Sequence, residues 1–227
     1  MSMMQALSGG FDAGGTPITI VQGYPTPISG TTGDGSAGLT VNFDTPLTAG
    51  DICIAFTSLD DTSDSGGAPT PTFIDGSGNT FDSMAATGNT GTTAVRISDS
   101  TASGGEAGVT MNYGGPAVRM SCQILVVRNL QDAAATDTAT NSGNDSDPVL
   151  SGLTSTGLAV GIMAYAAASD QYANGPDSPY IRVGTGAGGA SVFQEVMFYI
   201  GTTSANLTIS LNTGEDYAFA AASFDGV

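Results

Sequence analysis

The sequence predicts an all-β protein: an antiparallel, jelly-roll-like β-sandwich of about 12 short strands with few or no helices. Three observations carry that prediction. Apolar residues almost never recur at helical spacing, while short runs alternating apolar with polar residues recur throughout the chain. Between the runs lie clusters of Gly, Asn, Asp, Pro and Ser, residues that supply the dihedrals and local hydrogen bonds of turns. Runs of this kind fit two packed sheets.

Taken in order, the strands are expected at Ile18 to Val21, Leu39 to Phe43, Ile52 to Thr57 and Pro71 to Ile74. They continue with Thr93 to Ser98, Val109 to Tyr113, Arg119 to Arg128, Pro148 to Leu150 and Leu158 to Ala166. The last are Tyr180 to Val183, Val192 to Ile200, Leu207 to Leu211 and Tyr217 to Phe224. Asp34-Gly35, Asp75-Gly76 and Asn174-Gly175 are expected turns, since their residues tolerate positive φ. Residues 1–15, rich in Gly and Met, read as an N-terminal arm, and residues 16–227 as a single sandwich domain.

An internal echo runs through that domain. Gly108-Val-Thr-Met-Asn-Tyr113 followed by a long strand resembles Asn206-Leu-Thr-Ile-Ser-Leu211 followed by the final strand. Upstream, Ala49 to Phe56 parallels Thr156 to Met163. Each half then holds about six strands, and pairing the two closes one core.

Composition excludes several chemistries. With 227 residues, 40% hydrophobic and only 11% charged, the chain has a normal apolar content and far fewer charges than the usual quarter or so. Lys and His are absent, so a Walker A lysine, a Schiff base and a Ser-His-Asp triad are impossible. A structural zinc site needs four ligands drawn from Cys and His, and only Cys53 and Cys122 exist. Those two are expected as reduced core thiols. At a net charge of −17 the chain repels phosphate backbones, so no nucleic acid partner is expected. Met1 to Gly15 has neither the positive nor the apolar region of a secretory signal, and the longest apolar run, Leu158 to Ala168, falls well short of the roughly 20 residues of a spanning helix. No membrane insertion is expected.

Several strands are apolar on both faces. Ile52, Ile54 and Phe56 lie on one side with Cys53 and Ala55 on the other, and Met120, Cys122, Ile124 and Val126 lie opposite Leu125 and Val127. A sheet wetted on one side alternates cleanly, so a second cover is required, either a sister subunit or loops of the same chain. A homo-oligomer is expected on this basis, with Cys53, Ala55, Leu125, Val127, Arg119 and Arg128 as interface candidates. The four cations, Arg96, Arg119, Arg128 and Arg182, are expected in ion pairs with acids of this chain or of a neighbour.

Catalytic, cofactor and metal residues are expected to be absent. Asp75-Gly-Ser-Gly-Asn-Thr80 offers oxygens at EF-hand positions 1, 3 and 5 but places Thr80 at position 6 and Ala86 at position 12, and so fails that template. Asn144-Asp-Ser-Asp147 reads as a solvated turn with a weak claim on calcium. Glu195 sits inside a strand with Phe193, Met197 and Tyr199 on its side; it reads as the partner of an arginine or a surface acid, with a hydrolytic role as the rival. Tyr113, Tyr165, Tyr172, Tyr180, Tyr199 and Tyr217 are the rings on which a sugar would stack.

Pro71-Thr-Phe-Ile-Asp-Gly-Ser-Gly-Asn-Thr-Phe81, Ala94-Val-Arg-Ile-Ser-Asp99, Gly105 to Tyr113, Gln123-Ile-Leu-Val-Val-Arg128 and Tyr217 to Phe224 resemble, in that order, the β-sandwich surface domains of tailed-bacteriophage virion proteins and of some bacterial secreted proteins. The resemblance spans about residues 38 to 227. It departs from the pattern in lacking Trp. What it implies is a non-enzymatic virion structural protein, a capsid decoration or cement or a tail or adsorption component, assembled in the host cytoplasm with other virion proteins. The alternative expectation is a carbohydrate-binding module for a host-surface glycan, with calcium as an accessory ligand.

Overall fold

The computed structural model describes residues 16–32, 38–60, 68–74, 79–89, 93–113, 119–130, 134–166, 176, 179–188, 192–204 and 206–226. Expected features at residues 1–15, 34–35, 61–64, 75–76, 172 and 174–175 lie outside these. Among the described residues there are sixteen strands and no helix, so the chain is all-β. The first half carries β1 (Thr19–Gln22), β2 (Ile28–Thr31), β3 (Gly38–Asn42), β4 (Ile52–Asp60), β5 (Thr72–Phe73), β6 (Asp82–Asn89), β7 (Thr93–Thr101), β8 (Gly108–Asn112) and β9 (Arg119–Arg128). The second carries β10 (Asp137–Asp145), β11 (Val149–Leu150), β12 (Leu158–Ala166), β13 (Ile181–Gly188), β14 (Val192–Ile200), β15 (Leu207–Thr208) and β16 (Glu215–Phe224).

All the pairings are antiparallel, and the two halves repeat one strand order. The first large sheet runs β1-β9-β4-β7-β6, with β2 also on β9, and the second runs β10-β16-β12-β14-β13. Each carries a small outer sheet, β3-β8-β5 on the first and β11-β15 on the second. The echo seen in the sequence therefore maps onto β8 and β15, and onto β4 and β12. Register refines it: Ile52 pairs with Thr101 and Val127 as Leu158 pairs with Ile200 and Phe224. Ile52 thus corresponds to Leu158, one residue away from the alignment through Gly50 and Gly157. In a strand that single step exchanges the two faces.

The large sheets stack face to face. β16 lies over β6 and β7 while β13 lies over β9, so the repeated elements trade places as they do about a two-fold axis. Their shared seam holds Ile54, Phe56, Val95, Ile97, Leu125 and Val127 from the first sheet against Val160, Ile162, Val196, Phe198, Ala222 and Phe224 from the second. On the far side of the first large sheet, Cys53, Ala55, Leu59, Met120, Cys122 and Val126 pack under Leu39, Val41, Phe73, Val109 and Met111 of the small sheet. On the far side of the second, Ala159, Met163, Met197 and Phe219 pack with Leu150, Leu207 and Ile209. Burial of both faces explains why β4, β9, β12 and β16 read as continuous apolar runs.

Two expectations change here. The two large sheets form the expected β-sandwich, the small outer sheets add two further layers and two further cores, and the strand order does not establish a jelly roll. The second apolar face needs no sister subunit, because strands of the same chain cover it.

Candidate functional site

Of the six interface candidates, four are buried within the chain, Arg119 is partly exposed and Arg128 is exposed. Cys53 and Ala55 are fully buried beneath the first small sheet, and Leu125 and Val127 are fully buried in the seam. None of these four side chains reaches a surface that a partner meets, which corrects their assignment as contact residues. Arg119 pairs with Asp60 at 3.5 Å across β4 and β9. Arg128 holds Asp51 with both prongs, Nε to Oδ1 at 2.6 Å and Nη2 to Oδ2 at 2.9 Å. Asp51 also accepts the amide of Thr48 at 3.0 Å, while Glu106, fully buried, accepts the amides of Ser103 and Gly104 at 2.6 and 3.0 Å. These acids tie the loops around β4 and β8 into place.

Both thiols are free and buried. Cys53 stands opposite Val126 and Cys122 opposite Thr57, so four rungs, about 13 Å at strand rise, separate them along the sheet and no disulfide can form. Burial pushes both thiols up, Cys122 to about 12, and Cys122 adds to the rise at Cys53.

The most functionally suggestive surface is the outer side of β12, β14 and β13. Alternation along β14 sends Phe193, Glu195, Met197 and Tyr199 outward and Gln194, Val196 and Phe198 into the seam. On β13 a register irregularity between Arg182 and Gly184 sets Arg182 opposite Met197, two residues along β14 from Glu195 and on the same face. The two form a forked pair, Nε to Oε1 at 2.8 Å and Nη2 to Oε2 at 3.0 Å. Glu195 is fully buried, whereas the Arg182 side chain is 38% exposed. The carboxylate is thereby fixed on the arginine, as one of the sequence readings had it.

Aromatic rings flank this pair. Tyr165 stacks on Phe193 with centroids 5.5 Å apart, and Tyr180 meets Tyr199 edge-on at 6.2 Å. Phe193 and Tyr199 are half-buried. Tyr180 is buried, its hydroxyl has no hydrogen-bond partner, and burial raises its pKa. Of the nominated tyrosines, Tyr165, Tyr180, Tyr199 and Tyr217 gather on this sheet face, whereas Tyr113 packs against the first outer core. Of these rings only Phe193 and Tyr199 are partly exposed, and beside the partly exposed Arg182 guanidinium they offer stacking plus directional hydrogen bonds.

Two open clefts went unforeseen. One, of about 310 Å³, is lined by hydroxyl groups from Thr136, Thr154, Thr156, Thr203 and Ser204 together with Asp225. The other, of about 430 Å³, holds Asp82 and Asp99, which face each other across β6 and β7. Among the described residues no three His, Cys, Asp or Glu side chains come together as a metal cluster would require. Asn144 and Asp145 end β10 and Ser146 and Asp147 bend away from it; the Asp147 amide donates to Asp145 at 3.1 Å, and Asn144 donates across to Asp216 on β16 at 3.0 Å.

Comparison with protein-family models, with curated proteins and with solved structures returned no match.

Proposed function

We infer that the chain is a non-enzymatic structural unit of a particle surface, the role the tailed-phage virion resemblance suggests, and that it joins its neighbours through polar outer faces. One observation carries this reading. The chain seals its three apolar cores with its own strands, which leaves a four-layer block whose exposed residues, among those described, are mainly Thr, Ser, Asn, Gly, Asp and Pro, with Ile74 and Val149 as the exposed large hydrophobics. The buried acids serve the same end: Glu195, Asp51 and Glu106 hold arginines or loop amides in place. Assembly by burial of Leu125 and Val127 against a sister chain gives way to assembly by hydrogen-bonding surfaces, which are weaker per contact and rely on many copies. Mass spectrometry of purified particles from the source culture tests the role. Stoichiometric recovery with the particle supports it, and recovery only in the free soluble fraction overturns it.

The second reading is glycan recognition, favoured by the Tyr199, Phe193 and Arg182 surface. A glycan array run with wild-type protein and with Tyr199→Ala decides it: retained glycans lost in the variant support the reading, and an empty array removes it.

A further inference from the structure

At one end of the seam the packing between the large sheets turns polar. Phe56 and Leu125 give way along their strands to Ser58 on β4 and to Gln123 and Ser121 on β9, with Ser58 directly opposite Ser121. From the facing sheet Gln194 enters the same space, and its Oε1 accepts the Ser58 hydroxyl at 2.7 Å. All four residues are at most 1% exposed. Their hydrogen bonding is incomplete: Ser121 Oγ, both Gln123 side-chain polar atoms and Gln194 Nε2 have no partner. One buried unpartnered polar atom is costly, and four in one place would consume much of a domain's net stability.

The repeat shows that the fold does not demand this polarity. By register, the counterparts of Ser58, Ser121, Gln123 and Gln194 in the other half are Ala164, Ala218, Ala220 and Val95, all apolar and buried. On β13 Gly184 borders Gln123: a Cβ there would lie 3.7 Å from Gln123 Oε1 and 2.9 Å from Pro27 Cγ, so Pro27 covers that side of the polar pocket.

We propose that this end of the seam is a binding site for small neutral hydroxyl-bearing guests, occupied by buried water. The class follows from the unpaired atoms. Two amide NH2 groups oppose a cation; a free carbonyl oxygen, within a chain of charge −17, opposes an anion. A hydroxyl oxygen donates and accepts, and so answers both amides and the serine together. At the rim Asp60 and Arg119, on the same strand faces as Ser58 and Ser121, form a partly exposed ion pair that neutralises its own charge. Water and a small polyol share this chemistry.

The test is oxygen-17 magnetic relaxation dispersion on the full chain, with a glycerol titration followed by thermal melting. Long-lived waters in the wild type that are lost in Gln123→Leu establish the site as hydrated. A melting temperature that rises saturably with glycerol in the wild type and not in Gln123→Leu establishes that a polyol enters it. The proposal is overturned if Gln123→Leu leaves the dispersion unchanged and glycerol acts alike on both proteins. Should Gln123→Leu fail to fold, Ser121→Ala removes one oxygen from the same site, and the same readouts apply.

Discussion

Leu125→Ala distinguishes a seam within one chain from an interface between chains. Leu125 is fully buried and faces the second large sheet beside Ile54, its partner across β4 and β9. The position related to it by the repeat, paired to Val160 as Leu125 is to Ile54, is Ala222. Across the seam β9 meets β13 and β14, whose Val183, Val196 and Phe198 are branched or aromatic side chains already locked in the core and so close the void only in part. Leu→Ala substitutions in rigid cores cost about 3–5 kcal/mol in such cases. Unfolding entropy of about 2 cal/mol/K per residue gives roughly 0.5 kcal/mol/K for a chain of this length, so the melting temperature falls by about 6–10 °C. Calorimetry at several protein concentrations is the assay. Because both walls of the seam belong to one molecule, the fall is the same at every concentration. A melting temperature that climbs with concentration, or a variant that melts as the wild type does, refutes the intramolecular seam.

Arg182→Met strands the buried Glu195 carboxylate without its fork and is expected to cost about 2–4 kcal/mol in urea unfolding, tempered by the partial exposure of the guanidinium. Adding Glu195→Leu to it recovers most of the loss, so equal destabilisation of single and double variants counts against the pair. The thiols set an alkaline limit. With folded values above the unfolded value of about 9, their contribution is fully present below pH 9 and is lost as the pH climbs through the folded values, about 12 for Cys122. Melting scans of Cys122→Ala between those limits are expected to fall less steeply than the wild type, and identical slopes reject the assignment. Gly161→Val drives a Cβ to 2.5 Å from Leu207 Cδ2 and is expected to cost about 1–3 kcal/mol, part of it returned by Leu207→Ala. A neutral result in chemical denaturation means that β15 does not sit tightly on β12.

The strands buried on both faces were legible because nothing but a β-core accounts for runs such as Arg119 to Arg128 and Leu158 to Ala166, and both lie where expected, as does Val192 to Ile200. The strands missed are β2, β6 and β10, reading Ile-Ser-Gly-Thr, Asp-Ser-Met-Ala-Ala-Thr-Gly-Asn and Asp-Thr-Ala-Thr-Asn-Ser-Gly-Asn-Asp. β6 and β10 end their sheets, and β2 extends one beside β1, so these strands bury little and carry almost no apolar pattern. Charge at both ends of β10 and Gly near the ends of β6 and β10 also discourage another chain from adding to these edges.

The candidate sites failed to show for a different reason. Alternation assigns residues to faces but does not say which face meets what, and Cys53 and Leu125 look equally in need of cover. The two small sheets that cover the outer faces contribute strands as short as two residues, below any pattern a sequence displays. Glu195 was legible as an arginine partner because a lone acid in an apolar strand must be neutralised. That Arg182 is the partner follows from the register irregularity in β13, which only the structure reveals. Gln123 and Gln194 carried no signal at all, since each sits at a seam position where its neighbours two residues away are Leu125 and Val196. Their meaning comes from the comparison of halves: one fold built twice, with alanine or valine at the four seam positions where the other copy has serine or glutamine, separates the residues needed to close the core from those kept in it for another purpose.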